Sequence, residues 1–168
     1  DMPLPQWEQV LWMYGERIRD LKRDLAIRDL LLTRRHRIPG SGITHPYSRI
    51  TAIPIIFDEV RHKLDQAREY YQYKRRCIYC DIVRQELADA ERVVHESDRF
   101  VAVVPYAGRA PFELWILPRQ HAPAYEDALS GDLVADLARV ISGCFRTLAR
   151  ALADPSVEMT LYTAPNRG

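Results

Sequence analysis

Three short β-type segments stand close together in the middle of this 168-residue chain and constrain its fold more than any other feature. These β-branched and apolar stretches cover residues 92–96, 99–104 and 112–117. Only Ser97 and Asp98 separate the first two, which predicts a hairpin. Parallel strands need a crossover of a dozen or more residues, and these gaps are too short for one. The spacing therefore predicts an antiparallel sheet.

Segments with helical periodicity flank these strands and predict helices that cover the sheet. The predicted helices are 7–25, 59–76, 81–87 and 130–153, the last of them capped by Ser130. Further strands are predicted at 29–33, 49–57 and 158–163. This order predicts an α+β fold, an antiparallel sheet with packed helices, as a single domain over residues 1–168.

Composition supports a globular domain without a membrane span. Hydrophobic residues make up 47% of the chain and charged residues 28%. No apolar run approaches the roughly 20 residues that cross a bilayer, and the first residues lack a signal-peptide pattern. Three cysteines do not make a disulfide framework, so a cytoplasmic, reducing location is expected, with Cys144 as a core residue.

Charge is distributed unevenly along the chain. Residues 1–76 contain 15 basic and 10 acidic residues, whereas residues 77–168 contain 9 and 13. The first part, with its basic loop at 34–37, is therefore expected to contact phosphate. Because the charges interleave and the pI is near 7.9, the pattern does not favour a nucleic-acid-binding surface.

Cys77 and Cys80 have the spacing of a metal-binding knuckle, which favours zinc over a redox pair or two inert thiols. Tetrahedral zinc needs two more ligands, and His121 is the candidate for the third position. Water, a carboxylate or a residue of another chain remains open for the fourth.

The stretch from Phe100 to His121, with Pro105-Tyr106 and Pro111-Phe112-Glu113 at its centre, resembles galactose-1-phosphate uridylyltransferases. The resemblance extends back through the cysteine pair to His45-Pro46-Tyr47. It covers nearly the whole chain but only the second half of the family's proteins. That family belongs to the histidine-triad superfamily and has two related antiparallel halves, so the resemblance implies a histidine-triad-like half.

The resemblance also implies a reaction and two zinc sites. In the family, the second histidine of a His-Pro-His segment attacks the α-phosphorus of UDP-glucose, and galactose 1-phosphate then accepts the UMP group. Cys77, Cys80 and His121 match one zinc site, whose fourth ligand would be a histidine beyond residue 168. His45 matches a ligand of another zinc, whose cysteines lie in the family's first half.

The active segment departs from the family's pattern at three positions. Tyr47 stands where the nucleophilic histidine is expected, and Arg49 where a phosphate-binding glutamine is expected. Gly42, beside Ser41, falls where a phosphate-binding serine is expected. An unperturbed phenol has a pKa of about 10, so roughly one molecule in a thousand is phenolate at pH 7. The substitutions predict lost or altered transfer chemistry, with Arg49 available to bind phosphate.

Two functional hypotheses follow from the resemblance. The first is a uridylyltransferase-family protein that binds UDP-glucose or another nucleotide sugar and a hexose 1-phosphate, as one half of a split enzyme impaired by Tyr47. Its partner would be a chain carrying the first half, or a second copy. The alternative is a non-catalytic, zinc-binding scaffold or partner subunit that keeps the fold.

Overall fold

Helices and two small antiparallel sheets make up the part of the chain that this computed structural model describes, residues 2–36, 45–153 and 155–166. The helices are α1 (Leu4–Leu21), α2 (Asp58–Lys74), α3 (Ile78–Asp89), α4 (Tyr125–Ala128) and α5 (Gly131–Ala151). The strands are β1 (Asp29–His36), β2 (Tyr47–Ile53), β3 (Val93–Glu96), β4 (Phe100–Val103), β5 (Trp115–Pro118) and β6 (Val157–Leu161). The predicted α+β class is confirmed, but the strands form two sheets rather than one.

The first sheet has the strand order β2-β1-β6, with both pairs antiparallel. Its central strand continues to His36, so the prediction of a basic loop starting at Arg34 was wrong. Pairing on both sides explains the difference, because backbone hydrogen bonds to two neighbours hold charged residues in an extended conformation. The strand's local composition does not reveal those neighbours.

The edge strand β2 ends at Ile53, whereas the predicted strand 49–57 ended four residues later. Pro54 follows its last residue and lacks the N–H that would continue the ladder. The chain then turns, and the Phe57 N–H donates to the buried Asp29 carboxylate over 3.1 Å. Segment 54–57 is therefore a connection that leads into α2.

The second sheet has the order β3-β4-β5 and contains the predicted hairpin. Ser97 closes the hairpin, with its N–H donating to the Phe100 carbonyl over 2.9 Å. The Ser97 hydroxyl also donates to Asp136 of α5 over 2.6 Å. The hairpin is thereby fixed against the helix that covers it.

The core lies where α1 and α5 pack against each other between the sheets. Leu11, Val134 and Val140 have no exposed surface, and the Trp7 and Phe145 rings stack at 5.6 Å. Cys144 is buried in this core, as predicted. The predicted cap is also present, since the Ser130 hydroxyl accepts a bond from the Leu133 N–H. Among the described helices, none combines the length and apolarity needed to cross a membrane.

Two of the predicted helices bury fewer apolar residues than helical periodicity suggests. Leu25 is 70% exposed because α1 ends at Leu21, before the last predicted turn. In α2 only Val60 is buried, while Leu64 and Tyr71 remain exposed. The short helix α4 was not predicted.

Candidate functional site

The first sheet has one face packed on the core, and the opposite face, which carries the exposed Arg49, is here called the open face. Leu30 and Leu32 point into the core, so their neighbours on β1, Thr33 and Arg35, point the other way. Residues directly opposite in an antiparallel pair share a face. The open face therefore carries two rows across β2, β1 and β6, Tyr47–Arg35–Glu158 and Arg49–Thr33–Thr160.

Arg35 is the centre of the first row. Its Nε lies 2.8 Å from Oε2 of Glu158, and both side chains are partly exposed. Hydrogen bonding to Tyr47 and then to Glu158 raises the pKa of Arg35. The residue at the predicted nucleophile position thus contacts a permanent cation, and Arg49 lies exposed in the adjacent row.

Ser48 anchors β2 from the opposite face. Its hydroxyl lies 2.5 Å from the Tyr14 hydroxyl and accepts a bond from Arg34 over 3.3 Å. The Arg34 guanidinium also lies 5.0 Å from the centre of the Trp7 ring. The predicted basic cluster is therefore divided between the faces: Arg34 packs over α1, whereas Arg35 reaches the open face. Strand alternation is the signal for this division, but the loop prediction concealed it.

The other predicted site residues are described only in part. His45, predicted as a zinc ligand, is exposed two residues before β2, with its Nδ1 3.4 Å from the Pro46 carbonyl oxygen. Ser41 and Gly42 lie outside the described residues. The assignment of these three residues to a site stays a prediction.

Cys77, Cys80 and His121 come together at the start of α3. Their ligand atoms all lie within 4.8 Å of one another, and the Cys80 Sγ is 3.3 Å from the His121 Nδ1. Cys77 is the N-cap of α3, which begins at Ile78 rather than at the predicted residue 81. Both thiols therefore lie at a helix N-terminus, where the backbone N–H groups favour negative charge.

This donor set fits a metal ion. Zn–S bonds of about 2.3 Å and Zn–N bonds of about 2.0 Å at tetrahedral angles separate sulfur and nitrogen ligands by roughly 3.5 Å. Burial and the adjacent Cys77 thiol raise the pKa of the Cys80 thiol. Within the described residues, His45 is not part of this group.

A polar cluster that the sequence did not predict continues from the end of β6. The Glu59 Oε1 accepts bonds from Tyr162 over 2.8 Å and from Arg109 over 2.7 Å, and the Lys63 Nζ lies 3.0 Å from it. Burial raises the pKa of Glu59, but these three donors outweigh burial and lower it to about 2. The cluster joins α2, the β4–β5 loop and the C-terminal segment.

Comparison with known proteins links the chain to one family. The sequence model described as the C-terminal domain of galactose-1-phosphate uridyl transferase matches residues 63–150. A galactose-1-phosphate uridylyltransferase of Thermotoga maritima is 33% identical over 71% of this chain and 37% of the relative. An ADP-glucose phosphorylase of Arabidopsis thaliana is 28% identical over 75% of this chain and 34% of the relative. The chain thus spans about a third of these relatives' length.

Solved structures give the same picture. One solved uridylyltransferase structure aligns with 100% of this chain, and the aligned part is 53% of that structure's chain. The TM-score is 0.92 and the sequence identity is 28%. The structure of the Arabidopsis ADP-glucose phosphorylase with bound ADP-glucose aligns with 98% of this chain, and the aligned part is 52% of that structure's chain. The TM-score is 0.88 and the sequence identity is 25%. The described fold therefore corresponds to about half of each of these structures.

Proposed function

Because the chain belongs to the galactose-1-phosphate uridylyltransferase family, we propose that it binds the phosphates of a nucleotide sugar and a hexose 1-phosphate on the open face. The observation that carries the proposal is the placement of Tyr47, Arg35 and Arg49 on that face, at the predicted nucleophile position and around it. Guanidinium groups suit phosphate oxygens because they donate two parallel hydrogen bonds.

We further propose that the chain has lost efficient UMP transfer between UDP-glucose and galactose 1-phosphate. Transfer requires a nucleophile that forms a bond to the α-phosphorus while glucose 1-phosphate leaves, and a neutral imidazole does this near pH 7. Tyr47 offers a phenol in contact with Arg35 instead. Nucleotide-sugar binding is thereby retained without the covalent step.

The direct test restores the family residues with Tyr47→His and Arg49→Gln. After incubation with UDP-glucose labelled in the α-phosphate, the double variant is expected to become covalently labelled, whereas the native chain and Tyr47→Phe remain unlabelled. Native binding is measured separately as a UDP-glucose-dependent rise in melting temperature. Labelling of the native chain that Tyr47→Phe abolishes would contradict the loss of chemistry, and absence of any thermal shift would contradict binding.

We propose zinc as the ion held by Cys77, Cys80 and His121. The ion would join the N-terminus of α3 to the segment after β5, a stabilising role typical of thiolate-rich sites. The native chain is expected to contain about one zinc per molecule, and Cys80→Ser to lose it. Cys144→Ala is the matched control, since that free thiol is in the core. Equal metal content in native protein and Cys80→Ser would exclude this site.

A second candidate function is a non-catalytic partner subunit, with a chain carrying the first half or a second copy as the partner. The exposed α2 residues Leu64 and Tyr71 support it, because they offer apolar surface to a partner. A double variant that stays unlabelled although it folds and binds UDP-glucose would favour this role. The free thiols are also consistent with the proposed cytoplasmic location, in galactose metabolism.

A further inference from the structure

The ion pair between Arg35 and Glu158 lies in the middle of the open face. The two residues are direct partners in the β1–β6 register, and Tyr47 is the partner of Arg35 on the β2 side. The guanidinium is therefore placed between a phenol on one strand and a carboxylate on the other. Glu158 is the acidic residue in the two rows of this face, which otherwise contain two arginines, two threonines and Tyr47.

Solvent reaches this ion pair, so an anionic ligand is able to replace the carboxylate. The Arg35 side chain is 34% exposed and that of Glu158 is 48% exposed, so water screens the attraction. Phosphate offers the same kind of oxygen acceptors as a carboxylate and more negative charge, and arginine binds it in bidentate fashion. A phosphate that approaches from solvent is thus able to replace Glu158 without unfolding any element.

We infer that Arg35 is a phosphate-binding residue and that Glu158 occupies its guanidinium until an anionic ligand displaces the carboxylate. The inference rests on the proposed function, because it concerns the same face of the sheet. It assigns Glu158 as a residue that lowers the affinity of the site for anions and so excludes weakly charged ligands.

The arrangement of the arginines indicates a diphosphate as the class of ligand. Arg35 and Arg49 lie on adjacent strands, two residues apart in register, and such diagonal neighbours are about 7–8 Å apart. Their long side chains are able to converge on two linked phosphoryl groups. Thr33 and Thr160 supply hydroxyl donors between and beside them. A pyrophosphate group, alone or within a nucleotide sugar, offers each of the two guanidinium groups a phosphoryl group of its own.

The test measures binding of inorganic pyrophosphate by calorimetry at constant ionic strength. Glu158→Gln is expected to bind about threefold or more tightly than the native chain, and Arg35→Gln about tenfold or more weakly. The double variant is expected to behave like Arg35→Gln, since Glu158 acts only through that guanidinium. Arg35→Lys keeps the charge without the bidentate geometry and is expected to be intermediate.

Glu96→Gln is the matched control. Glu96 of β3 also forms a partly exposed ion pair, at 2.7 Å with Arg119 just after β5, and the exposed fractions of 37% for Arg119 and 52% for Glu96 are close to those of the Arg35–Glu158 pair. Glu96→Gln changes the net charge of the protein by the same amount as Glu158→Gln, but the substitution lies in the second sheet. The inference is overturned if Glu158→Gln binds pyrophosphate no more tightly than the native chain, if Glu96→Gln tightens binding equally, or if no variant binds pyrophosphate.

Measuring UDP-glucose on the same variants separates this inference from the proposed function. Pyrophosphate binding that responds to Glu158→Gln, together with no UDP-glucose binding, supports the inference and contradicts nucleotide-sugar recognition. UDP-glucose binding that is unchanged in Glu158→Gln and Arg35→Gln supports the proposed function and overturns the inference.

Discussion

At the scale of single residues, Glu126 of α4 is a buried carboxylate with only 4% of its surface exposed. It accepts a bond from Thr163 over 2.6 Å and forms an ion pair with Lys22, the residue that caps the C-terminus of α1. Burial raises the pKa of Glu126, but the bonds from Lys22 and Thr163 outweigh it and lower the pKa below its ordinary value. The ionised carboxylate therefore ties α4 to α1 and to the C-terminal segment.

Replacing Glu126 with glutamine is expected to destabilise the protein by about 2 kcal/mol at pH 7, because Lys22 loses its buried partner. A lowered pKa contributes stability above the ordinary carboxyl pKa, and this contribution is lost as the pH falls through the lowered value. The difference between native protein and variant should therefore shrink below about pH 4. Urea unfolding at pH 7 and in acid measures this difference in the free energy of unfolding, and Glu16→Gln at an exposed position is the control. An equal difference at both pH values would contradict this account.

At the scale of elements, the residue that ends α3 is not the one best suited to its backbone conformation. Ala90 follows the helix with a φ of 54°, a left-handed conformation that glycine adopts without steric cost. Ala90→Gly is expected to stabilise the protein by about 1 kcal/mol, whereas Ala88→Gly inside the same helix should destabilise it by about 0.5–1 kcal/mol. Both positions are exposed, and thermal unfolding of the two variants measures the change in stability that each substitution causes. Destabilisation by both would indicate that the backbone at residue 90 is not left-handed.

Element type was easier to predict than element ends. Ser130 and the β3–β4 hairpin follow from local sequence, because their contacts are a few residues apart. The predicted bounds of β1 and α3 were wrong, and for β1 the reason is a remote partner strand. β1 continues to His36 through its pairing with β6, and the second strand of that pair is more than 120 residues away.

At the scale of the whole molecule, the predicted single domain remains to be tested through its two apolar clusters. Trp7 belongs to the cluster around α1 and α5, and Trp115 packs against the smaller one around Val101 and Val103. Variants that keep only Trp7 or only Trp115 report on each cluster by fluorescence. A single domain predicts coincident urea midpoints, within experimental error, whereas separate transitions would indicate two independently folding units.

The sequence alone determined the composition of the site and the chemistry that its residues allow. Cysteine spacing and the following histidine predicted a candidate metal-binding group, and Tyr47 predicted altered transfer chemistry, because both predictions depend on residue type. Only the tertiary structure decided that Arg35 faces Tyr47 and Glu158 while Arg34 packs on Trp7. Alternation along a strand puts adjacent residues on opposite faces, but which residues each of them meets depends on register with distant strands.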